Sequence, residues 1–407
     1  MNLDILFLGK LFPKEKESEI KSKIKTGMQD AANALQWNII DGLEENDCGR
    51  IKILNYLPVN SYPNGFTDKS IPGFVFSHTD KYESVDLNIG CTNRAIIKHI
   101  LNIYPFKKEI EKWVNLDIGL KKVLMVYSAS PMFLSLAKFA KQLNNQIEIC
   151  CVIADLPEFF SASDLSGVRK IYNTYQTKKC ALLYKYVDRF VLLTEGMSER
   201  LKISVPYIVM EGIAPESHDF NETEISLIFK NEKFIFYSGT LNYKFGIGEL
   251  LEAFNLINDN DIKLVICGFG QAEERIKLFM ESDSRILFLG RIDRSDAISL
   301  QRKATILVNP RQNNEEFTKY SFPSKTMEYL ASGVPLVAYK LDGIPDEYDK
   351  YINYVPDNSS EALALTLSEL LKISDDERTQ KGLEAKDFVL KNKNRKVQAK
   401  KILDFIK

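Results

Sequence analysis

The chain has 407 residues, 45% of them hydrophobic and 27% charged, enough for two domains that each bury a core. Its formal net charge of -1 excludes the polyelectrolyte signature of a nucleic-acid binder. No apolar run approaches the roughly 20 residues that span a bilayer, so any membrane contact is expected to be peripheral.

Short apolar runs alternate with amphipathic stretches, the rhythm of parallel α/β units. The first run, in Met1-Asn-Leu-Asp-Ile-Leu-Phe-Leu-Gly, is short and carries Asp4, so it reads as a first strand and not a signal peptide. In the first half, strands are expected at 3–8, 51–57, 122–128, 147–153 and 189–193, and helices near 19–35, 93–113, 131–144, 169–186 and 196–202. Residues 58–92, rich in Pro, Gly, Asn and Ser, read as an irregular insertion with short strands at Phe74–Phe76 and Asp86–Ile89. The polar, turn-rich stretch 214–232 reads as an interdomain connection. After it the rhythm restarts, with strands at Phe234–Tyr237, Lys263–Cys267, Ile286–Leu289, Thr305–Asn309 and Leu336–Ala338. Helices near 247–258, 271–281, 295–303, 325–332 and 359–373 alternate with them, and a charged helical tail follows from Asp376. This predicts two doubly wound domains, whose ligands sit at the carboxyl ends of strands.

The cysteines (Cys48, Cys91, Cys150, Cys151, Cys180 and Cys267) show no Cys-x-x-Cys pair, which points to a reduced, cytoplasmic compartment. His78, His99 and His218 lie far apart, against a histidine-rich metal site. The basic clusters Lys14–Lys25 and Lys107–Lys122 are interleaved with acids. They read as solvated faces, with attraction to anionic lipid headgroups as the alternative.

Candidate site residues follow strands. Gly9 ends the first, and Asp155-Leu-Pro-Glu158 follows another, where Asp155 reads either as a turn former or as an acid facing a ligand. Gly239-Thr240 through Lys244 and Gly246 form a loop in which glycines admit a phosphate and Lys244 neutralises it. Gly268-Phe-Gly270 is a Gly-x-Gly without the third glycine of a dinucleotide fingerprint, and a plain strand-to-helix turn is its other reading. Arg291, after Gly290, is placed beside a nucleobase or in solvent; Glu315 and Glu316 lie in a polar loop beyond Asn309-Pro310-Arg311. The richest stretch runs from Tyr320 to Ala338: a loop, a helix opening at Ser324, a Gly-Val-Pro stop and a buried strand. Ser324 is expected as N-cap, which aims the amides of Lys325, Thr326 and Met327 at one anion. Lys325 adds charge, and Glu328, one turn on, is placed to accept hydrogen bonds from hydroxyls. Phosphate donors beside a hydroxyl-reading carboxylate suggest a sugar nucleotide.

Tyr237-Ser-Gly-Thr, Ile266-Cys-Gly-Phe-Gly, Phe288-Leu-Gly-Arg and Phe322-Pro-Ser-Lys-Thr-Met-Glu-Tyr-Leu-Ala-Ser-Gly-Val-Pro stand in one order across residues 234–348. In this the chain resembles the retaining glycosyltransferases of family 4. The Pro-Ser-Lys and Glu-Tyr form is similar to the subgroup that builds bacterial capsular, exopolysaccharide and O-antigen repeats. The first half agrees more loosely through Asp155-Leu-Pro, Leu193-Thr-Glu-Gly-Met and Glu211-Gly-Ile.

The resemblance implies an α/β GT-B fold, two Rossmann-like domains facing a cleft. Residues 1–215 would bind the acceptor and 216–385 the nucleotide sugar, while a helix over 386–407 crosses back to the first domain. It implies hexosyl transfer from a donor, often UDP-linked, to a hydroxyl of a lipid-linked glycan, with no metal and no cofactor. The enzyme would be cytoplasmic or peripheral on the inner membrane face. Glu328 would hold the ribose hydroxyls, and the amides of Ser324–Met327 the diphosphate. Two positions depart from the family. Tyr320 stands where its Glu-x7-Glu pair has the first acid, so Glu315 or Glu316 would substitute. Thr240 and Phe245 stand where it has phosphate-binding Arg and Lys, which leaves Lys244. Asp155 would orient the acceptor or act as base. A nucleotide-sugar epimerase of the same fold and a non-catalytic sugar-nucleotide binder are the alternatives.

Overall fold

The structure, a computed structural model, describes residues 2–26, 29–81, 85–94, 103–156, 158, 167–215 and 222–407. The chain divides into two compact units, Met1–Glu211 with Arg395–Lys407, and Gly212–Asn394.

The first unit runs β1 (Leu3–Gly9), α1 (Glu17–Lys23), α2 (Asp30–Glu45), β2 (Gly49–Asn55), β3 (Ser70–Ile71), β4 (Phe74–Phe76), β5 (Asp86–Asn88), β6 (Cys91–Thr92) and α3 (Ile103–Asn115). It continues with β7 (Lys121–Tyr127), α4 (Pro131–Leu143), β8 (Glu148–Ile153), α5 (Val168–Leu183), β9 (Arg189–Leu192), α6 (Gly196–Leu201) and β10 (Tyr207–Val209). The sheet order is β10-β9-β8-β7-β1-β2-β5-β4, parallel except for β4 against β5. β1 is buried at every position, as a strand covered on both faces must be. Its one charge, Asp4, pairs in register with Lys122 of β7, whose Nζ lies 3.3 Å from the carboxylate. The expected insertion contributes β4 and β5 to the sheet edge. There the buried Asp86 accepts from the amides of Ile53 and His78, each at 2.8 Å.

The second unit runs α7 (Glu224–Ile228), β11 (Lys233–Thr240), α8 (Ile247–Asn255), β12 (Ile262–Phe269), α9 (Glu273–Ser282), β13 (Ile286–Phe288), α10 (Arg294–Lys303) and β14 (Ile306–Asn309). Then come α11 (Ser324–Ser332), β15 (Leu336–Tyr339), β16 (Ile352–Val355), α12 (Ser360–Lys372) and α13 (Asp375–Asn392). Its sheet, β13-β12-β11-β14-β15-β16, is parallel throughout. Alternate residues of β11 and β12 face opposite ways, as the two-residue period requires. Ile235, Leu264 and Ile266 pack under α8, α9 and α12, while Phe234, Phe236 and Val265 pack under α10, α11 and α13. Full burial of each such side chain contributes about 1.5–3 kcal/mol.

The last helix, α14 (Arg395–Ile406), belongs to the first unit, where it packs on α2. Arg395 meets Asp41 and Glu45, and Asn46 Nδ2 donates to the Lys396 carbonyl at 2.8 Å.

The elements depart from the expected ones in several places, among them β3, β6 and α7, which were not expected. The helix expected over 19–35 is two helices, and the second runs on to Glu45. The helix expected over 93–113 appears as α3, from Ile103; residues 95–102 lie outside the described ones. β10 and β16 were not anticipated, because a short strand at a sheet edge shows little hydrophobic alternation. Finally, residues 386–392 continue α13, which packs on α11, and the helix breaks at Lys393. That lysine is buried, with its Nζ 2.6 Å from Glu347 and its carbonyl accepting the Ala214 amide at 2.8 Å.

Candidate active site

In the second sheet the strand order reverses at β11, with β12 on one side and β14 on the other. The loops leaving β11 and β14 therefore run apart into helices on opposite faces and frame a crevice at the strands' carboxyl ends. Arg311 joins the two loops: its guanidinium lies 4.3 Å from the ring centre of Phe245 and 5.5 Å from that of Phe317. Lys244 Nζ lies 3.8 Å from Glu315. Glu316 is exposed and opens the short helical turn Glu316–Tyr320.

The β14 loop delivers the chain to α11. Pro323 caps this helix and Gly333, at φ 85°, stops it. Thr326, Met327 and Leu330 turn to the core, which leaves Ser324, Lys325 and Glu328 along the outer side. The expected cap is thus corrected. Ser324 is the first helical residue, and its side chain caps nothing. The Thr326 amide is spent on the Pro323 carbonyl at 2.9 Å and its side chain is fully buried, so Thr326 is withdrawn from the candidate anion contacts. The amides of Ser324 and Lys325 have no acceptor among the described residues, as the first two of any helix lack an intrahelical one.

Glu328 is held from three sides. Its Oε1 accepts from Lys325 Nζ at 2.8 Å and from Gln301 Nε2 at 2.6 Å, while Oε2 faces Arg294 Nη2 at 3.7 Å. Burial pushes the carboxyl up, but Lys325, Gln301 and Arg294 outweigh it and hold it below its ordinary value. Gln301 is itself buried and also donates to Ser238 Oγ at 3.3 Å. The Ser238 amide donates to the Tyr329 hydroxyl at 2.9 Å, and that hydroxyl returns a bond to the Ser238 carbonyl at 3.2 Å. α10, α11 and the end of β11 are thereby locked together behind Glu328.

The glycine loops serve first to bring strand ends together. Gly239 and Thr240 are still strand, in register with Gly268 and Phe269. A Cβ on Gly268 (φ 143°) would sit 1.8 Å from the Gly239 carbonyl oxygen, and one on Gly270 (φ 152°) 2.4 Å from that of Leu241. The Gly270 amide donates to Glu273 Oε1 at 2.8 Å, so a carboxylate of the chain itself occupies the start of α9. Arg291 lies beside these loops, exposed, with its guanidinium 5.3 Å from the ring centre of the half-exposed Phe269.

Residues 219–405 match the family described as "Glycosyl transferases group 1". The chain is a glycosyltransferase. No curated protein matches it. Among solved structures it is similar to the sucrose-phosphate synthase of Thermosynechococcus elongatus, with TM-score 0.66 and 14% identity over 100% of this chain and 98% of that one. An E. coli trehalose-6-phosphate structure bound with UDP-2-fluoro glucose aligns at TM-score 0.60 and 12% identity, over 99% and 98%. Anabaena HepE in complex with UDP and glucose aligns at 0.61 and 12%, over 100% and 99%. At such identities the likeness establishes the fold, which is GT-B.

In the first unit of the glycosyltransferase, Asp155 stands exposed two residues beyond β8. Near it the Tyr127 hydroxyl is buried at the end of β7, its pKa raised by burial and then by the Asp155 charge. Glu158 is tied to Arg200 Nε at 2.5 Å, and Pro157 lies outside the described residues. Gly9 leads into a turn closed by Gln36, which accepts from the Lys10 amide and donates to the Lys10 carbonyl, both at 2.7 Å.

Sequence reasoning passed over Gln301, Arg294 and Arg311. The one available signal for Gln301 was a polar residue one turn beyond Ala297, on the inward side of α10. Arg294 and Arg311 carried none, since each is an ordinary surface arginine until the fold brings its partner close.

Proposed function

We propose that this glycosyltransferase moves a sugar, with retention, from a UDP-linked donor to a hydroxyl of a lipid-linked or oligosaccharide acceptor in bacterial surface polysaccharide synthesis. The observation that carries the donor reading is the start of α11: two helix-start amides without acceptors among the described residues, beside a carboxylate held ionised by Lys325, Gln301 and Arg294. UDP in two of the similar structures supports the choice of nucleotide.

In this reading the Ser324 and Lys325 amides take the diphosphate, and the Lys325 ammonium turns from Glu328 to join them. Glu328 accepts from the two ribose hydroxyls, charge-assisted bonds stronger than neutral ones. Arg291, beside the Phe269 ring, offers a platform to the base. Lys244 approaches the diphosphate from the β11 loop, while Glu315 or Glu316 takes the donor-sugar hydroxyls in place of the acid that Tyr320 replaces. Asp155 orients the acceptor. The C1–O bond to the diphosphate breaks as the acceptor oxygen bonds to C1 on the same face. The acceptor proton passes to the leaving phosphate oxygen, so no side-chain nucleophile is needed. The lipid-linked acceptor and peripheral placement rest on the Pro-Ser-Lys and Glu-Tyr form of the α11 segment.

UDP release from UDP-sugars, assayed with and without an acceptor panel, tests the reading. Acceptor-dependent release that falls at least about 100-fold in kcat/KM in Glu328→Ala is expected, an effect of roughly 2.7 kcal/mol. Conversion of the donor with no acceptor present would point to an epimerase and overturn it. So would a parent-like rate in Glu328→Ala.

A further inference from the structure

Helix α5 keeps large apolar side chains on its solvent side. Its outward side carries Ile171 (72% exposed), Tyr175 (58%) and Leu182 (73%), at a spacing that aligns them on one stripe, with Tyr172 beside them. Its inward side buries Cys180 and Leu183 among polar residues. The Cys180 thiol donates to the Ala129 carbonyl at 3.1 Å, the Thr177 hydroxyl to the Asn173 carbonyl at 3.0 Å, and the Asn173 amide nitrogen to the Glu158 carbonyl at 3.4 Å. The neighbouring α4 follows the usual arrangement, with Phe133, Leu134 and Leu136 buried.

The charge on α5 is as one-sided as its apolar surface. No Asp or Glu occurs between residues 165 and 187, whereas Lys170, Lys178, Lys179 and Lys185 do. None of these four has an acidic partner among the described residues. Lys179 lies 6.0 Å from the ring centre of Tyr175, and Lys185 and Lys138 both lie over the Tyr186 ring, at 5.3 and 5.5 Å. Most lysines of the basic clusters that stand out in the sequence meet acids instead, whereas Lys25 Nζ donates to the Pro63 carbonyl and Lys107 lies over the Phe139 ring. Lys14 meets Asp41, Lys16 and Lys23 meet Glu19, Lys21 meets Glu17, Lys112 meets Glu109, Lys121 meets Glu148 and Lys122 meets Asp4.

We propose that the outer face of α5 docks the protein on an anionic lipid bilayer. Ile171, Tyr175 and Leu182 enter the boundary between headgroups and acyl chains, and the unpaired lysines extend along the surface to the lipid phosphates. A protein partner with an acidic groove would need an acid opposite each lysine. A bilayer needs only net negative charge, which suits a stripe flanked by cations on both sides. The inference deepens the peripheral placement proposed above and is independent of the acceptor.

Co-sedimentation with phosphatidylcholine vesicles, with and without phosphatidylglycerol, tests it. The full-length protein should bind only the anionic vesicles, and added salt should weaken binding. Ile171→Ser with Leu182→Ser, and separately Lys170→Glu with Lys178→Glu, should each lower binding at least about tenfold. These side chains are exposed, so far-UV circular dichroism should stay unchanged. Glu328→Ala should bind like the parent, which separates this inference from the donor reading. Equal binding to neutral vesicles, or parent-like binding by both double variants, would overturn it. A concentration-dependent dimer lost in the variants, without vesicle binding, would assign the face to a second copy and overturn it equally.

Discussion

Helices α9 and α11 both begin at the carboxyl side of the second sheet, and they treat their first turns in opposite ways. At α9 the first residue is Glu273, whose carboxylate closes back on the Gly270 amide. At α11 the first residue is Ser324, and the acid stands one turn later, at Glu328, turned to Gln301 and Lys325. Both starts carry the positive end of a helix dipole. In the proposed reading only the second leaves it to an outside anion. Whether a helix start can serve as a binding site therefore depends on where the chain puts its own acid, and a shift of four residues along the helix turns an internal cap into the carboxylate proposed here to accept from hydroxyls.

The largest expected effect breaks the comparison directly. Glu328→Ala should lose transfer at least about 100-fold, whereas Glu273→Ala should change kcat/KM less than about threefold and act on stability instead. Comparable losses from the two would show that both starts face the donor. Next in size is Gly268→Ala, which sets a methyl against the Gly239 carbonyl at an unfavourable φ. It should cost about 1–3 kcal/mol in urea unfolding, against almost nothing for Ser324→Ala. Gln301→Leu sharpens the Glu328 side. It frees the carboxylate from one donor, so the donor KM should rise about tenfold with kcat little changed. Equal falls in kcat and kcat/KM would place Gln301 in the transition state.

The smallest effect concerns pH. The Glu328 pKa is depressed below its ordinary 4.5, so the ionised form is the one the fold favours. Its stabilisation is present above the unfolded pKa and is lost as pH falls through the folded one. The gap in Tm between the parent and Glu328→Gln should hold from neutral pH down to the ordinary value of 4.5 and close only as pH falls through the depressed value below it. A gap that widened on acidification would contradict the ion pair.

Much of the second unit could be read from the chain. Phe234–Tyr237 and Lys263–Cys267 declare themselves as buried strands, and the Pro-Ser-Lys start and Gly-Val-Pro stop delimit α11. In the first unit the α2 boundary was lost, because Ala31-Ala32-Asn33 gives little hydrophobic period. The basic clusters drew attention by sheer number, while α5, which keeps its lysines unpaired, did not stand out in the one-dimensional pattern.

Periodicity and local turn chemistry are short-range properties, and they dictated the α/β rhythm, the helix start at Ser324 and the identity of Glu328 as its acid. Pairing is long-range. That Gln301 supports Glu328 across 27 residues, that Glu273 stoppers α9, and that Arg311 joins two loops through Phe245 and Phe317 follow from strand order and helix packing. The exposure of Ile171 and Leu182 is settled the same way. A helix whose two sides are both partly apolar can turn either one to the core, and only packing against α4 decides which side is left for solvent.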